Sequence, residues 1–309
     1  MLHVPVLLEE TVSRLVTAPG GWYLDATAGA GGHASALLAA AGLDARLLAL
    51  DRDGRALELA RAALAPFGGR AVLERANFTE MAAAAARCGV TGFRGILMDL
   101  GVSSMQLDEA ARGFSFREEA PLDMRMDDRQ ELTAAELLRR LAPEELAQVL
   151  RRYGEEPMAK RIARAVGEAV ARGEPLETTT QLAALVERAK GGRRGRIHPA
   201  TQTFQALRIA VNGELEALEQ ALPAALDLLE PGGRLAVISF HSLEDRMVKQ
   251  FMTAHEGRME SLARGGARWS GTLPRARRVA RKPVTPSEEE VRRNPRSRTA
   301  KLRVLERMA

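Results

Sequence analysis

The residues with the clearest chemical potential lie in one short stretch and a few positions after it. In DATAGAGGHA (25–34), Gly29, Gly31 and Ala34 follow the spacing G-x-G-x-x-G/A. There the first glycine permits a tight turn and the second admits a ligand against the backbone. A small third residue lets a helix pack near its strand. Asp51 comes about 20 residues later, where a carboxylate can accept hydrogen bonds from both hydroxyls of a ribose. A dinucleotide and S-adenosylmethionine fit this loop equally well. Three further positions favour S-adenosylmethionine: Asp25 opens the loop, Phe78 follows Asn77 where a ring can lie against an adenine, and Asp99 ends GILMDL.

The elements that would hold these residues are legible as alternating patterns. WYLDAT (22–27), RLLALD (46–51), AVLERA (71–76) and GILMDL (95–100) are short apolar runs bounded by Gly or polar residues, as buried strands are. Helical patterns lie between them. The alternation predicts parallel βαβ units, with helices on both faces of a doubly wound sheet. Such sheets bind ligands beyond the carboxyl ends of their strands, where Asp25, Asp51, Phe78 and Asp99 all fall. After residue 105 the strands stop. AAELLRRLA, PEELAQVLRRYG, MAKRIARAVGEAVARG and TTQLAALVERAK read as helices of an insertion, 106–205, expected to recognise the substrate. That insertion ends in the Gly- and Arg-rich loop KGGRRGRIHP. TFQALRIAVNGELEALEQALPAALDLL then reads as one long helix or a broken pair, and PGGRLAVISF as a turn and fifth strand. RRVARKPVTP and AKLRVLER read as two edge strands. The expected division is 1–105 with 206–309, and 106–205.

The 309 residues, 46% of them apolar, suffice for a real core. The single cysteine, Cys88, can form neither an internal disulfide nor a thiolate zinc site, so a reducing cytoplasm is expected. Cys88 itself reads as a small core residue. The start MLHVPVLLEE lacks a secretory pattern, and no run of about 18 apolar residues predicts a membrane span. Residues 258–309 hold 15 Lys and Arg against 5 Asp and Glu, in a chain whose net charge is +5. That segment suits a polyanion such as nucleic acid; the alternative is a solvated arm.

At ILMDLGVSSMQLD (96–108) the sequence resembles the bacterial small-subunit ribosomal RNA (cytosine-N4)-methyltransferases, the MraW or RsmH family. HVPVLLEE, TAGAGGH, LDRD, RGFSF, PLDMRM, YGEE, KRIARA, TFQALRIAVNGEL, PGGRLAVISFHSLEDR and NPRSRTAKLR carry the resemblance across nearly the whole chain, in the family's order. It implies a class I methyltransferase fold, Rossmann-like, with a helical domain inserted after strand four. The implied cofactor is S-adenosylmethionine. The implied substrate is a cytidine of 16S ribosomal RNA at the decoding centre, within the small ribosomal subunit, and a homodimer is allowed. Carried over by position, the cofactor contacts are Gly31, Gly32, His33, Asp51, Phe78, Asp99 and Gln106. The chain departs from the family at Ala28, where Phe is frequent, and at Gln202, where Arg is frequent; the second puts one phosphate contact in question.

The exocyclic amine of cytosine is a poor nucleophile, because its lone pair is delocalised into the ring. It needs alignment with the methyl group and acceptors for its hydrogens. Positive charge disappears as the methyl moves, so no metal is required. Asp99 and the Gly101–Ser104 backbone would lie beyond strand four. His241 would follow strand five, as a base, a hydrogen-bonding group for the cytosine edge, or a structural histidine. Ser103 and Ser104 are substrate contacts or turn residues. Arg125 in PLDMRM is the arginine best suited to RNA, while the Phe and Met residues around it serve equally as core. Methylation at C5 would call for a thiolate, and Cys88 lies before strand four, opposite the ligand edge. A nicotinamide-dependent oxidoreductase, a non-catalytic RNA-binding protein and a methyltransferase of protein or small amines are the rival readings.

Overall fold

A computed structural model describes residues 5–193, 195, 197–261, 266–270 and 274–309. The chain divides into two compact units, Met1–Gly101 with Leu215–Ala309, and Val102–Glu214. Among the described residues no helix is long and apolar enough to cross a membrane.

The first unit begins with α1 (Leu8–Leu15), then alternates β1 (Gly21–Asp25), α2 (Gly32–Ala40), β2 (Ala45–Asp51), α3 (Gly54–Leu64), β3 (Ala71–Arg75), α4 (Met81–Arg87) and β4 (Phe93–Asp99). The second unit holds α5 (Ser104–Asp108), α6 (Ala134–Arg140), α7 (Pro143–Gly154), α8 (Ala159–Ala171), α9 (Thr179–Lys190) and α10 (Thr201–Asn212). The chain then returns to the first unit with α11 (Glu214–Leu228), β5 (Leu229–Ser239) and α12 (Ser242–His255). A two-stranded ribbon of β6 (Arg258–Ser261) and β7 (Ala267–Ser270) follows, then β8 (Ala276–Arg278), α13 (Glu288–Arg293) and β9 (Lys301–Arg307).

The main sheet has the order β3-β2-β1-β4-β5-β9-β8, with β1 to β5 parallel and β9 antiparallel to both neighbours. Alternate residues of each strand face opposite ways. Leu24, Leu48, Ile96 and Val237 pack against α4, α11 and α12, through Met81, Leu222 and Val248. On the other face Tyr23, Leu47 and Ala49 meet Ala34, Leu38 and Leu64 of α2 and α3. Leu97 and Ile238 meet Leu15 of α1. Each fully buried side chain of this kind contributes about 1.5–3 kcal/mol relative to exposure. With strand order reversing between β1 and β4, the sheet is the Rossmann-like sheet of class I methyltransferases, and its switch point lies beside Asp25 and Asp99.

Two expectations change, and one open alternative is decided. AKLRVLER is not an edge: β9 pairs with β5 and β8, and Leu302, Val304 and Leu305 are buried. Only β8, three residues long, stands at that edge, joined by an isolated bridge between Val284 and Leu302. The long helix is a pair broken at Gly213 (φ 57), and α10 belongs with the helical unit. Its Phe204 and Leu207 complete a core with Leu150 of α7, Ile162 and Val166 of α8 and Val186 of α9. The chain therefore leaves that unit at 214 rather than 205.

Candidate cofactor site at the carboxyl edge of the sheet

The four strand-end positions come together in the first unit through the backbone. Ala28 N–H donates to Leu50 O (2.8 Å), Ala26 N–H to Leu97 O (2.9 Å) and Ala76 N–H to Asp51 O (3.1 Å), which ties the loops after β1 and β3 to neighbouring strand ends. Asp51 is half-buried, and its carboxylate accepts Gly29 N–H at 2.8 Å and Asp53 N–H at 2.9 Å. Burial nevertheless raises its pKa. Each of its oxygens keeps a lone pair beyond those two bonds, so a ribose can still be held.

Asp25 is 1% exposed, and burial, with the charge of Asp51 nearby, lifts its pKa from 3.8 to about 7. Its Oδ1 accepts Thr27 N–H, and its buried Oδ2 has no partner. Asp99 is pushed well above the usual carboxylate range, by burial first and then by Asp25 and Glu244. Its buried Oδ1 is likewise without a partner, while its N–H is held by Thr27 Oγ1 at 2.6 Å. Unpaired buried polar atoms are costly in a folded protein. Two on neighbouring acids, at the switch point of an open sheet, are suited to a cationic ligand.

His33, in the first turn of α2, closes the cluster. Its Nε2 lies 3.1 Å from Val6 O and its Nδ1 3.5 Å from Asp99 Oδ2. A carbonyl can only accept, so the ring hydrogen sits on Nε2 and Nδ1 is the atom offered to Asp99. The approach needs Gly32, because a Cβ there would run into Pro5 Cγ. At Gly31 (φ 84) the space where a side chain would stand is bounded by Ala60 and Ala63 of α3, so its smallness also serves helix packing. Phe78 follows Asn77, which caps a short 3-10 turn, and its half-buried ring rests on the core beside β3.

His241 caps α12. Its N–H donates to Glu244 Oε2, and Glu244 N–H reaches its Nδ1 at 3.5 Å. Its buried Nε2 is 3.1 Å from Glu244 Oε1 but outside hydrogen-bonding geometry, which leaves it as a third unsatisfied atom of the first unit's ligand edge. Glu244, 2% exposed, was not among the sequence candidates; the H-x-x-E capping pattern was its only signal. Thr27, which holds both Asp25 and Asp99, carried no signal at all.

Four candidates lie in the helical unit. Ser103 caps α5: its Oγ accepts Gln106 N–H at 3.2 Å, and Gln106 Oε1 accepts Ser103 N–H at 3.0 Å. Ser104 begins that helix, and Gln106 is buried. Arg125 grips Asp123 through Nε at 2.8 Å and Nη2 at 2.7 Å, and Gln130 O through Nη1. Its neighbours Met124 (φ 62) and Met126 are clamped by the Asn212 amide of α10. Cys88 is half-buried against the core of the first unit.

Much of the basic C-terminal segment is structural. Arg303 and Lys301 pair with Asp245, Arg234 and Arg277 with Glu306, and Arg278 with Glu256. Arg264, and Arg194 and Arg196 of the Gly- and Arg-rich loop, lie outside the described residues.

S-adenosylmethionine fits this donor set: its sulfonium and ammonium groups match the unneutralised acids, and its ribose matches Asp51. A dinucleotide would bring an anionic pyrophosphate to Asp25 and Asp99, which offer it no cation and whose ionisation it would oppose further.

Comparison with known proteins agrees in class. The model of the MraW methylase family matches residues 1–308. Proteins named Ribosomal RNA small subunit methyltransferase H are similar along almost all of the chain. The one from Dehalococcoides mccartyi is 49% identical, over 99% of this chain and 86% of that protein. The one from Symbiobacterium thermophilum is 49% identical over 98% and 96%, and the one from Cyanothece sp. is 50% identical over 99% and 95%. A solved rRNA methylase from Streptococcus thermophilus aligns over 100% of this chain and 99% of that one, at 12% identity and TM-score 0.44.

Proposed function

The chain belongs to the MraW methylase family, and on that premise we propose that it methylates the exocyclic N4 of a cytidine in 16S ribosomal RNA, at the decoding centre of the small subunit. The observation that carries this reading is Asp99: a buried carboxyl with one oxygen beside His33 and the other without a partner. S-adenosylmethionine, when bound, supplies an electrophilic methyl group on a positively charged sulfur.

In this reading Asp51 binds the ribose, Phe78 flanks the adenine, and the Gly31–Gly32 backbone and Asp25 hold the polar methionine portion. Asp99 Oδ1 accepts a hydrogen of the cytosine amine and draws it out of conjugation. An amine that gains a methyl group must shed a proton. Asp99 takes it once a bound cation has displaced the proton that the carboxyl carries at rest, and its high proton affinity then holds the new one. His33, fixed by Val6 O, keeps Asp99 Oδ2 engaged so that Oδ1 points at the amine. His241 Nε2, beyond β5, serves as a hydrogen-bonding group for the base edge.

The helical unit recognises the RNA. Ser104 is a substrate contact there, and Ser103 orients α5 as its cap. With its hydrogen-bonding edges engaged, Arg125 offers an unstacked base its planar face.

The test supplies labelled S-adenosylmethionine and small subunits from a strain lacking this modification, followed by digestion of the RNA to nucleosides. Label in N4-methylcytidine is expected. Label in C5-methylcytidine, or in protein alone, overturns the reading.

A further inference from the structure

The helical unit is electrically balanced, with eighteen Lys and Arg and eighteen Asp and Glu between residues 102 and 214. Many of its surface cations are neutralised locally: Arg139 and Arg140 by Glu136, Arg164 by Glu168, Arg172 by Glu174 and Arg129 by Asp127.

The junction of α7 and α8 differs. Arg151 from the last turn of α7, with Lys160 and Arg161 from the first turn of α8, lines an open groove of about 520 Å³ together with Pro157 and Met158. No carboxylate lines it. None of the three cations makes a side-chain hydrogen bond or ion pair among the described residues.

Two of these charges sit where a helix disfavours them. The first turn of α8 has no acid, whereas α7 and α12 both open with two. A cation at that end opposes the helix dipole, by roughly 0.3–1 kcal/mol each. Among the described residues neither Lys160 nor Arg161 gains an ion pair in return, and uncompensated breaks of a local rule are expected at functional positions.

The groove is also held rigidly. Glu156 is fully buried and accepts Lys190 Nζ at 2.8 Å and Met158 N–H at 3.0 Å. Lys190 also donates to Pro199 O, and Gln202 Nε2 donates to Glu155 O at 3.1 Å. The turn between α7 and α8 is therefore pinned from α9 and from α10, and the three cations project from a fixed floor.

We propose that this groove binds a backbone phosphate of the RNA substrate, anchoring the helical unit without regard to base identity. Concave shape, three converging unpaired cations and the absence of a carboxylate match a phosphodiester, which such contacts position without reading sequence. The inference rests on the reading that RNA is the substrate.

The experiment uses the full-length protein and a fluorescein-labelled single-stranded fragment of small-subunit RNA, with anisotropy measured over a range of salt. The variant R151Q/K160Q/R161Q is expected to bind about tenfold more weakly at moderate salt, with its log–log salt slope reduced by about one. The control R139Q/R140Q/R164Q removes the same charge from paired positions and should keep the slope. S-adenosylhomocysteine affinity should match wild type in the groove variant, and its thermal midpoint should be equal to wild type or higher, since two cations leave the first turn of α8. A groove variant with wild-type affinity and slope overturns the proposal. So does a variant that retains RNA binding but loses binding to phosphatidylserine vesicles. Methyl transfer by the wild type reports separately on the substrate: if it labels no ribosomal cytidine, that reading fails whatever the slope shows.

Discussion

Glu244 and Asp245 are neighbours in sequence and belong to opposite electrostatic regimes. Asp245 faces β9, where Arg303 Nε lies at 2.7 Å and Lys301 Nζ at 3.0 Å. Burial pushes its carboxyl up, but these two partners pull it further down, to a net lowered pKa. Glu306 and Glu256 behave in the same way toward their arginines. Glu244 faces the other way, toward Asp99, and there the sign reverses: Asp25, Asp51 and Asp99 are all raised. In a chain with 40 arginines, no described Lys or Arg forms an ion pair with Asp25, Asp51 or Asp99. Buried charge without a counter-charge is expensive, so the difference locates where a positive ligand belongs.

The comparison can be broken at several points. The largest effect is expected at Asp99: Asp99→Asn should lower methyl transfer by about 10²–10⁴-fold, as loss of a proton acceptor does. Single-turnover rates would show it, and a rate within a few-fold of wild type would remove Asp99 from the chemistry. On the compensated side, Asp245→Ala strands Arg303 in a buried position and should cost about 3–5 kcal/mol of stability. Urea unfolding measures that loss, and a change below about 1 kcal/mol would mean that the pair is worth no more than a surface one. Because the pKa of Asp245 is lowered, its contribution is present above the unfolded value near 3.8 and lost as pH falls through the folded value.

The smallest effect has the opposite sign. Asp25 is raised to about 7, so its contribution is fully present below the unfolded value of 3.8 and lost as pH rises through 7. Ligand-free Asp25→Asn should therefore be more stable than wild type at pH 8, and its thermal midpoint should fall less between pH 5 and 8. It should also bind S-adenosylmethionine more weakly. A variant less stable than wild type at pH 8 would contradict the assignment.

Much of the uncompensated side was legible in the sequence, because strand ends can be read from local pattern. Asp25, Asp51, Phe78 and Asp99 each close or follow a short apolar run, and a parallel sheet brings such ends to one edge. The compensated side was not. Arg303 lies 58 residues beyond Asp245, and only the insertion of β9 next to β5 joins them. For the same reason the basic C-terminal segment could be read only as suited to a polyanion or as a solvated arm, and the pairs of Arg277, Arg278 and Arg303 with Glu306, Glu256 and Asp245 were out of view. Local spacing also could not show what packs on Gly31, whose neighbours in α3 are about 30 residues away. The helical unit's boundary was misplaced because α10 and α11 are both amphipathic, and periodicity alone does not say which core a helix joins.

The central claim is that the unneutralised acids form the seat of a cationic cofactor. Calorimetric titration of S-adenosylmethionine into the full-length protein at pH 7, in two buffers of different ionisation enthalpy, counts the protons exchanged on binding. A cation arriving beside Asp25 and Asp99 must lower their raised pKa values, so net release of about half a proton or more is predicted. Binding with no proton exchange, or with net uptake, would contradict it.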